Sequence, residues 1–191
     1  MPRLTDARKE LRRAQITEAA VRCFSRNGLE RTSIADITAE SGLSTGSIYA
    51  HYRNKADLVQ ASAQAVLAKR AEVLGDYAAS DTPPDPDELL ARLVAAINPA
   101  EARVGVQTWG EATTNPAIHA IVVDMIDRMR AMVRDCVTAW LVKVERLAPA
   151  EARERAHPIA DRVQDLYLAQ LLLTALNSPN SPNSPTEEAS S

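Results

Sequence analysis

Between Ser33 and Tyr52 the chain starts a helix, stops it and starts another within twenty residues. Ser33 precedes Ile34 and Ile37 with Asp36 three residues on, a variant of the capping box in which hydroxyl and carboxylate satisfy the first backbone N–H groups of a helix. That helix ends before Gly42, and Ser44 repeats the capping signal for a second one, from Thr45 to about Tyr52. Two short helices with Gly in a three-residue turn, and Ile37, Leu43 and Ile48 placed to pack them together, form the helix-turn-helix pattern, which presents its second helix to the major groove. Ordinary helical corners use the same turn, so the pattern is decided by its surroundings.

Ahead of it, residues 7–27 contain no Pro or Gly and set Ile16, Ala20, Cys23 and Phe24 at helical spacing, ending at Asn27-Gly28. Beyond it, a long helix is expected from Asn54 through Leu58, Val66 and Leu74 to about Tyr77, closed by the Pro-rich run at 81–86. Further helices are expected at 87–97, 100–114, 116–147 and 158–177, with Pro at helix starts, where its missing N–H costs nothing. Strand formers are scarce beside Ala, Leu, Arg and Glu, and the fold class expected is all-α. The segment 178–191 repeats Ser-Pro-Asn, has nothing to bury and is expected to be a disordered tail.

The net charge of −3 hides an asymmetry: residues 1–60 hold ten Lys/Arg against seven Asp/Glu, and residues 61–191 hold twelve against eighteen. The positive end is therefore the one expected to meet phosphate. Cys23 and Cys136 lie within apolar helical patterns without Cys-x-x-Cys spacing, and are read as buried hydrophobes. No metal site and no cofactor are expected. With no signal-like or membrane-spanning stretch, the cytoplasm is the expected location.

The wider string settles the corner. Gly28-Leu29-Glu30-Arg31-Thr32-Ser33-Ile34-Ala35-Asp36-Ile37, Ser41-Gly42-Leu43-Ser44-Thr45-Gly46-Ser47-Ile48-Tyr49-Ala50-His51-Tyr52 and Asn54-Lys55-Ala56-Asp57-Leu58 together resemble the TetR family of repressors over about residues 10–60. The resemblance implies an N-terminal three-helix DNA-binding domain over 1–54, a helical ligand-binding and dimerisation domain over 55–177, and a symmetric dimer on double-stranded operator DNA. Carried over residue by residue, it puts Thr45, Gly46, Ser47 and Tyr49 of the recognition helix, with Ser44 at its cap, against the bases. It puts Thr32, Ser33, His51, Tyr52 and Lys55 at the phosphate backbone. The family often has Ala where this chain has Thr38 and Ser41, and often Lys where it has Thr45, which leaves the recognition helix short of charge. Arg3, Arg8, Lys9, Arg12 and Arg13 form a basic leading arm suited either to the DNA backbone or to solvent.

In the second domain, Ile118, Val122, Met125, Met129, Met132, Cys136 and Trp140 make one stripe of helix 116–147, with Val133, Val137 and Leu141 beside it. The last helix is apolar nearly all round after Leu166. Such breadth asks for cover from a partner, and helices 116–147 and 158–177 are expected to pair with their symmetry mates. Tyr77, Gln107, Trp109, His119, Met125, Met129 and Tyr167 are the candidate lining for a partly apolar small-molecule effector. Two other classes compete: a helical interaction module without DNA binding, and a small helical enzyme, for which no nucleophile motif, phosphate loop or metal cluster is present in the sequence.

Overall fold

The computed structural model describes residues 3–177, with side chains from Asp6 onward, and within them the chain forms eight helices and no strand. The expected tail at 178–191 lies outside the described residues. Helix α1 (Arg3–Asn27) leads into α2 (Ile34–Ser41) and α3 (Thr45–Tyr49), followed by the long α4 (Lys55–Ala79). Then come α5 (Pro86–Ala95), α6 (Pro99–Ala112), α7 (Pro116–Lys143) and α8 (Pro149–Asn177).

The starts of α5, α6 and α7 share one local device. Asp85, Asn98 and Asn115 each accept a backbone N–H from the first turn, and Pro follows at the first helical position, pre-set for the helix and owing no hydrogen bond. Helix α8 departs from expectation: it begins at Pro149, not Pro158, and Pro158 sits inside it. A Pro there removes the bond to the carbonyl of Glu154, a cost of about 3 kcal/mol. It is accepted because Ala152, Ala156 and Ala160 recur every four residues and are fully buried on one face, and a helix broken at 158 would lose that face.

Two cores result. The first gathers Ile16, Cys23 and Phe24 of α1 with Ile37, Ile48 and Leu58, and continues without a break into Ala112 of α6 and Ile118 and Val122 of α7. The second joins Leu74, Leu89 and Leu93 to Met129, Val133, Cys136 and the alanines of α8. The stripe of α7 is therefore covered mostly within the chain by these cores, a correction to the view that it needs a partner along its length. Both cysteines are free and buried, and burial pushes the Cys136 thiol up to about 11.

Helix α4 is fastened at each end by an ammonium. Lys55 Nζ donates to the carbonyl of Glu30 at 2.8 Å, and Lys143 Nζ of α7 donates to the carbonyls of Ala78, Ala79 and Ser80 at 3.0, 3.0 and 2.7 Å. These last three are C-terminal carbonyls, which gain from a cation.

Candidate nucleic-acid interface and ligand cavity

The corner between α2 and α3 is built from local hydrogen bonds. Ser33 Oγ accepts from Asp36 N at 3.1 Å, while an Asp36 carboxylate oxygen accepts from both Ser33 N and Ser33 Oγ at 2.8 Å. Those bonds hold the Asp36 carboxyl below the usual carboxylate range. Gly42 takes the left-handed conformation, φ 67°, that ends α2, and Ser44 Oγ accepts from Ser47 N to start α3. The Thr38 and Ser41 hydroxyls each donate to a backbone carbonyl of their own helix, at Ile34 and Thr38 respectively.

Helix α1 grips α2 from outside. Glu40 pairs with Arg26 and with Arg22, the latter at 2.6 Å, and Gln15 Nε2 donates to the carbonyl of Ser41 at 2.8 Å. The Arg26 and Arg22 guanidiniums, in that order, hold the Glu40 carboxyl below its ordinary range.

This frame turns α3 so that Ile48 is fully buried while Ser44, Thr45, Gly46 and Tyr49 face solvent, Tyr49 at 53% exposure, with Ser47 half-buried. Packing does not require glycine at 46: a Cβ there would meet nothing closer than Ser44 Oγ at 4.0 Å. The open side of α3 is thus unusually low as well as uncharged.

The expected phosphate contacts divide. Ser33 is exposed, and His51 and Lys55 are half-exposed. Thr32 and Tyr52 are corrections, because both are buried, at 4% and 3% exposure, and their hydroxyls are engaged internally. Thr32 Oγ1 donates to the carbonyl of Gly28 at 2.7 Å. The Tyr52 hydroxyl bonds Thr17 Oγ1 at 3.0 Å and donates to the carbonyl of Arg13, whose guanidinium lies over the ring, 5.2 Å from its centre. The aromatic body of Tyr52 seals α1 against the corner.

Behind this unit lies a partly open cavity of about 90 Å³, largely apolar, lined by α4, α6, α7, α8 and the inner side of α1. Of the seven candidate lining residues the structure brings three to it, Trp109, Met125 and Tyr167. The other four are corrections. Gln107 points off the opposite side of α6 and accepts from Leu29 N at 3.1 Å, tying α6 to the turn after α1. Tyr77 lies under the Arg92 guanidinium, 4.9 Å from its ring centre, Met129 is buried in the second core, and His119 is exposed.

Sequence reasoning missed Arg70 and Glu101, which also reach the cavity. Arg70 donates to the carbonyl of Ala96 at 2.9 Å. Burial pushes the Tyr167 phenol up, against the opposing influence of Arg70. Trp109 Nε1 is buried without a hydrogen-bond partner among the described residues, a donor left open beside an apolar space. A signal was available in α6, where Glu101, Gly105 and Thr108 share one face with small residues that leave room. On α8 and α7, Leu166, Leu172, Leu173, Leu176 and Val123 remain exposed, a residue of apolar surface that the chain does not cover itself. Among the described residues no group of three or more His, Cys, Asp or Glu is placed to hold a metal.

Comparison with known proteins matches the same corner. Residues 16–62 fit the profile described as bacterial regulatory proteins, tetR family. The regulator TtgR of Pseudomonas putida is 49% identical over 61 residues, 32% of this chain, and the matched stretch spans only 29% of that relative's length. The regulator BetI of Burkholderia thailandensis is 27% identical over 177 residues, covering 88% of this chain and 85% of its own. Among solved structures, a protein described as a transcriptional regulator from Pseudomonas aeruginosa PAO1 is 25% identical and superposes with a TM-score of 0.61 over 85% of this chain and 80% of its own. The capped corner and the profile match agree over residues 16–62, where the chain is similar to bacterial regulatory proteins of the tetR family, and the all-helical likeness extends over most of its length.

Proposed function

We propose that this chain is a ligand-responsive transcriptional regulator, acting as a repressor, that binds a palindromic operator as a homodimer and releases it when a small, partly apolar effector occupies the cavity. The observation that carries the reading is the face of α3: Ile48 locks the helix from behind, and Thr45, Gly46 and Tyr49 stand clear of any other part of the chain's core. Side chains so placed are free to meet base edges, and Gly46 lets the helix come close. Ser33, Ser44, Ser47, His51 and Lys55 complete the proposed surface, with residues 1–54 as the DNA-binding domain and 55–177 as the sensing and dimerisation domain. The uncovered leucines of α8, with Val123 of α7, support dimerisation through those two helices. Dimeric recognition then requires half-sites about 34–36 Å apart. No described helix is long and apolar enough to cross a membrane, and the proposed site of action is the cytoplasm. The proposal includes no enzymatic step.

The test is fluorescence binding of the full chain to DNA from its own promoter region at several salt concentrations. The expected result is tighter binding than to random DNA, with log affinity falling linearly against log salt as counterions are released. Equal affinity for random DNA, or indifference to salt, rejects the reading.

A further inference from the structure

The cavity is not confined to the sensing helices. Val21 and Phe24, both from α1, form part of its wall. Phe24 is fully buried and belongs to the same core cluster as Ile37 of α2 and Ile48 of α3. Between the cavity and the side chain that seats α3 there is therefore one continuous packed core. Packed interiors are stiff and pass displacement on.

Size gives this geometry a direction. A cavity of about 150 Å³ admits benzene in an engineered protein, and the space here is about 90 Å³. An occupant of one ring or more fills this partly open space and bears on its walls. The α4 wall is held at both ends by Lys55 and Lys143, while α6 is joined to the turn after α1 by the Leu29 N to Gln107 hydrogen bond, so α6 does not yield without pulling on that turn.

We propose that the DNA-binding unit is itself one wall of the effector cavity, so that an apolar effector acts on it by direct contact with Val21 and Phe24 of α1. This rests on the ligand-responsive reading above and adds the route by which the ligand is felt. Ligand and operator then select between two packings of a single shared core, and the effector class is a compact apolar body of at least one ring.

The test uses the full-length protein labelled at isoleucine methyl groups, with benzene as the probe. Ile97 and Ile121 line the cavity, and Ile37 and Ile48 do not. The expected result is that all four methyl signals shift along benzene titrations of the same midpoint. Val21→Ala is expected to reduce the response of Ile37 and Ile48 at least twofold while Ile97 and Ile121 still respond, whereas Val66→Ala, the equivalent truncation on the α4 wall, leaves the Ile37 and Ile48 response intact. Shifts confined to Ile97 and Ile121 overturn the proposal and leave the cavity reading standing. So does a Val21→Ala response equal to that of the unmodified chain, or an equal loss from Val66→Ala. Silence at Ile97 and Ile121 overturns the sensing cavity and the direct route together, without bearing on the DNA-binding test.

Discussion

Around α3 the hydroxyls of Ser33, Thr38 and Ser41 all have partners two to four residues away, while Trp109 Nε1 at the cavity and Gln164 Oε1 elsewhere on α8 are buried with none among the described residues. The corner is built from short-range hydrogen bonds and two arginine clamps. The sensing half is built from long helices packed over distance, and it retains empty space and an uncovered row of leucines. In the proposed function, the first kind of construction suits a surface that matches a rigid duplex, and the second suits a site that takes in a ligand and a partner. Phe24 belongs to both, since it stands in the corner's core and in the cavity's wall.

Substitution of that residue is the strongest way to break the contrast. Phe24→Ala is expected to destabilise the chain by about 3–5 kcal/mol, the usual cost of emptying a buried aromatic site. Because the core is continuous, calorimetry should show one transition shifted downward; two separate transitions would mean that the corner and the sensing half fold independently. Tyr49→Ala sharpens the contrast from the opposite side. With its ring 53% exposed, its loss should leave the melting temperature nearly unchanged while weakening promoter binding about tenfold, the 1.4 kcal/mol of one good base contact. A large drop in melting temperature would show Tyr49 to be structural.

The smallest expected effect concerns the clamp on α2. The Glu40 carboxyl is depressed in the folded chain, so its contribution is present above the unfolded carboxylate value, about 4.3, and is lost as pH falls through the folded value. Glu40→Gln should therefore lower the melting temperature slightly at neutral pH, by the equivalent of at most about 1 kcal/mol for a surface pair, and the difference from the unmodified chain should vanish in acid. A difference that persists at low pH would assign the effect to packing.

The same contrast explains what could be read in the residues. Ser33, Asp36, Gly42 and Ser44 act within one turn of themselves, so both ends of α2 and the start of α3 were legible from spacing alone, while α3 ends at Tyr49, short of the expected Tyr52. Pro158 carried an equally clear local signal and misled, because the burial of Ala152, Ala156 and Ala160 against neighbouring helices outweighs one missing N–H. In the cavity, Gln107, Thr108 and Trp109 are consecutive, yet Gln107 reaches the turn after α1 while the next two reach the empty space. Successive residues lie about 100° apart around a helix, and only the packing of α6 between α1 and α8 decides which direction is inward. Tyr52 and Thr32 fail as phosphate contacts for the same reason: their polar ends are visible in sequence, and the burial of those ends is not.

The two lysines that fasten α4, Lys55 of α4 itself and Lys143 of α7, have a mechanical consequence. A beam hinged at one end can swing, but one pinned at both ends can only slide or bow unless a pin is released. With Lys55 hooked on Glu30 and Lys143 spread over three terminal carbonyls, a helix of 25 residues, roughly 37 Å long, is held in this second condition. Motion of the sensing half along this rod would thus arrive at the corner as thrust, not as rotation.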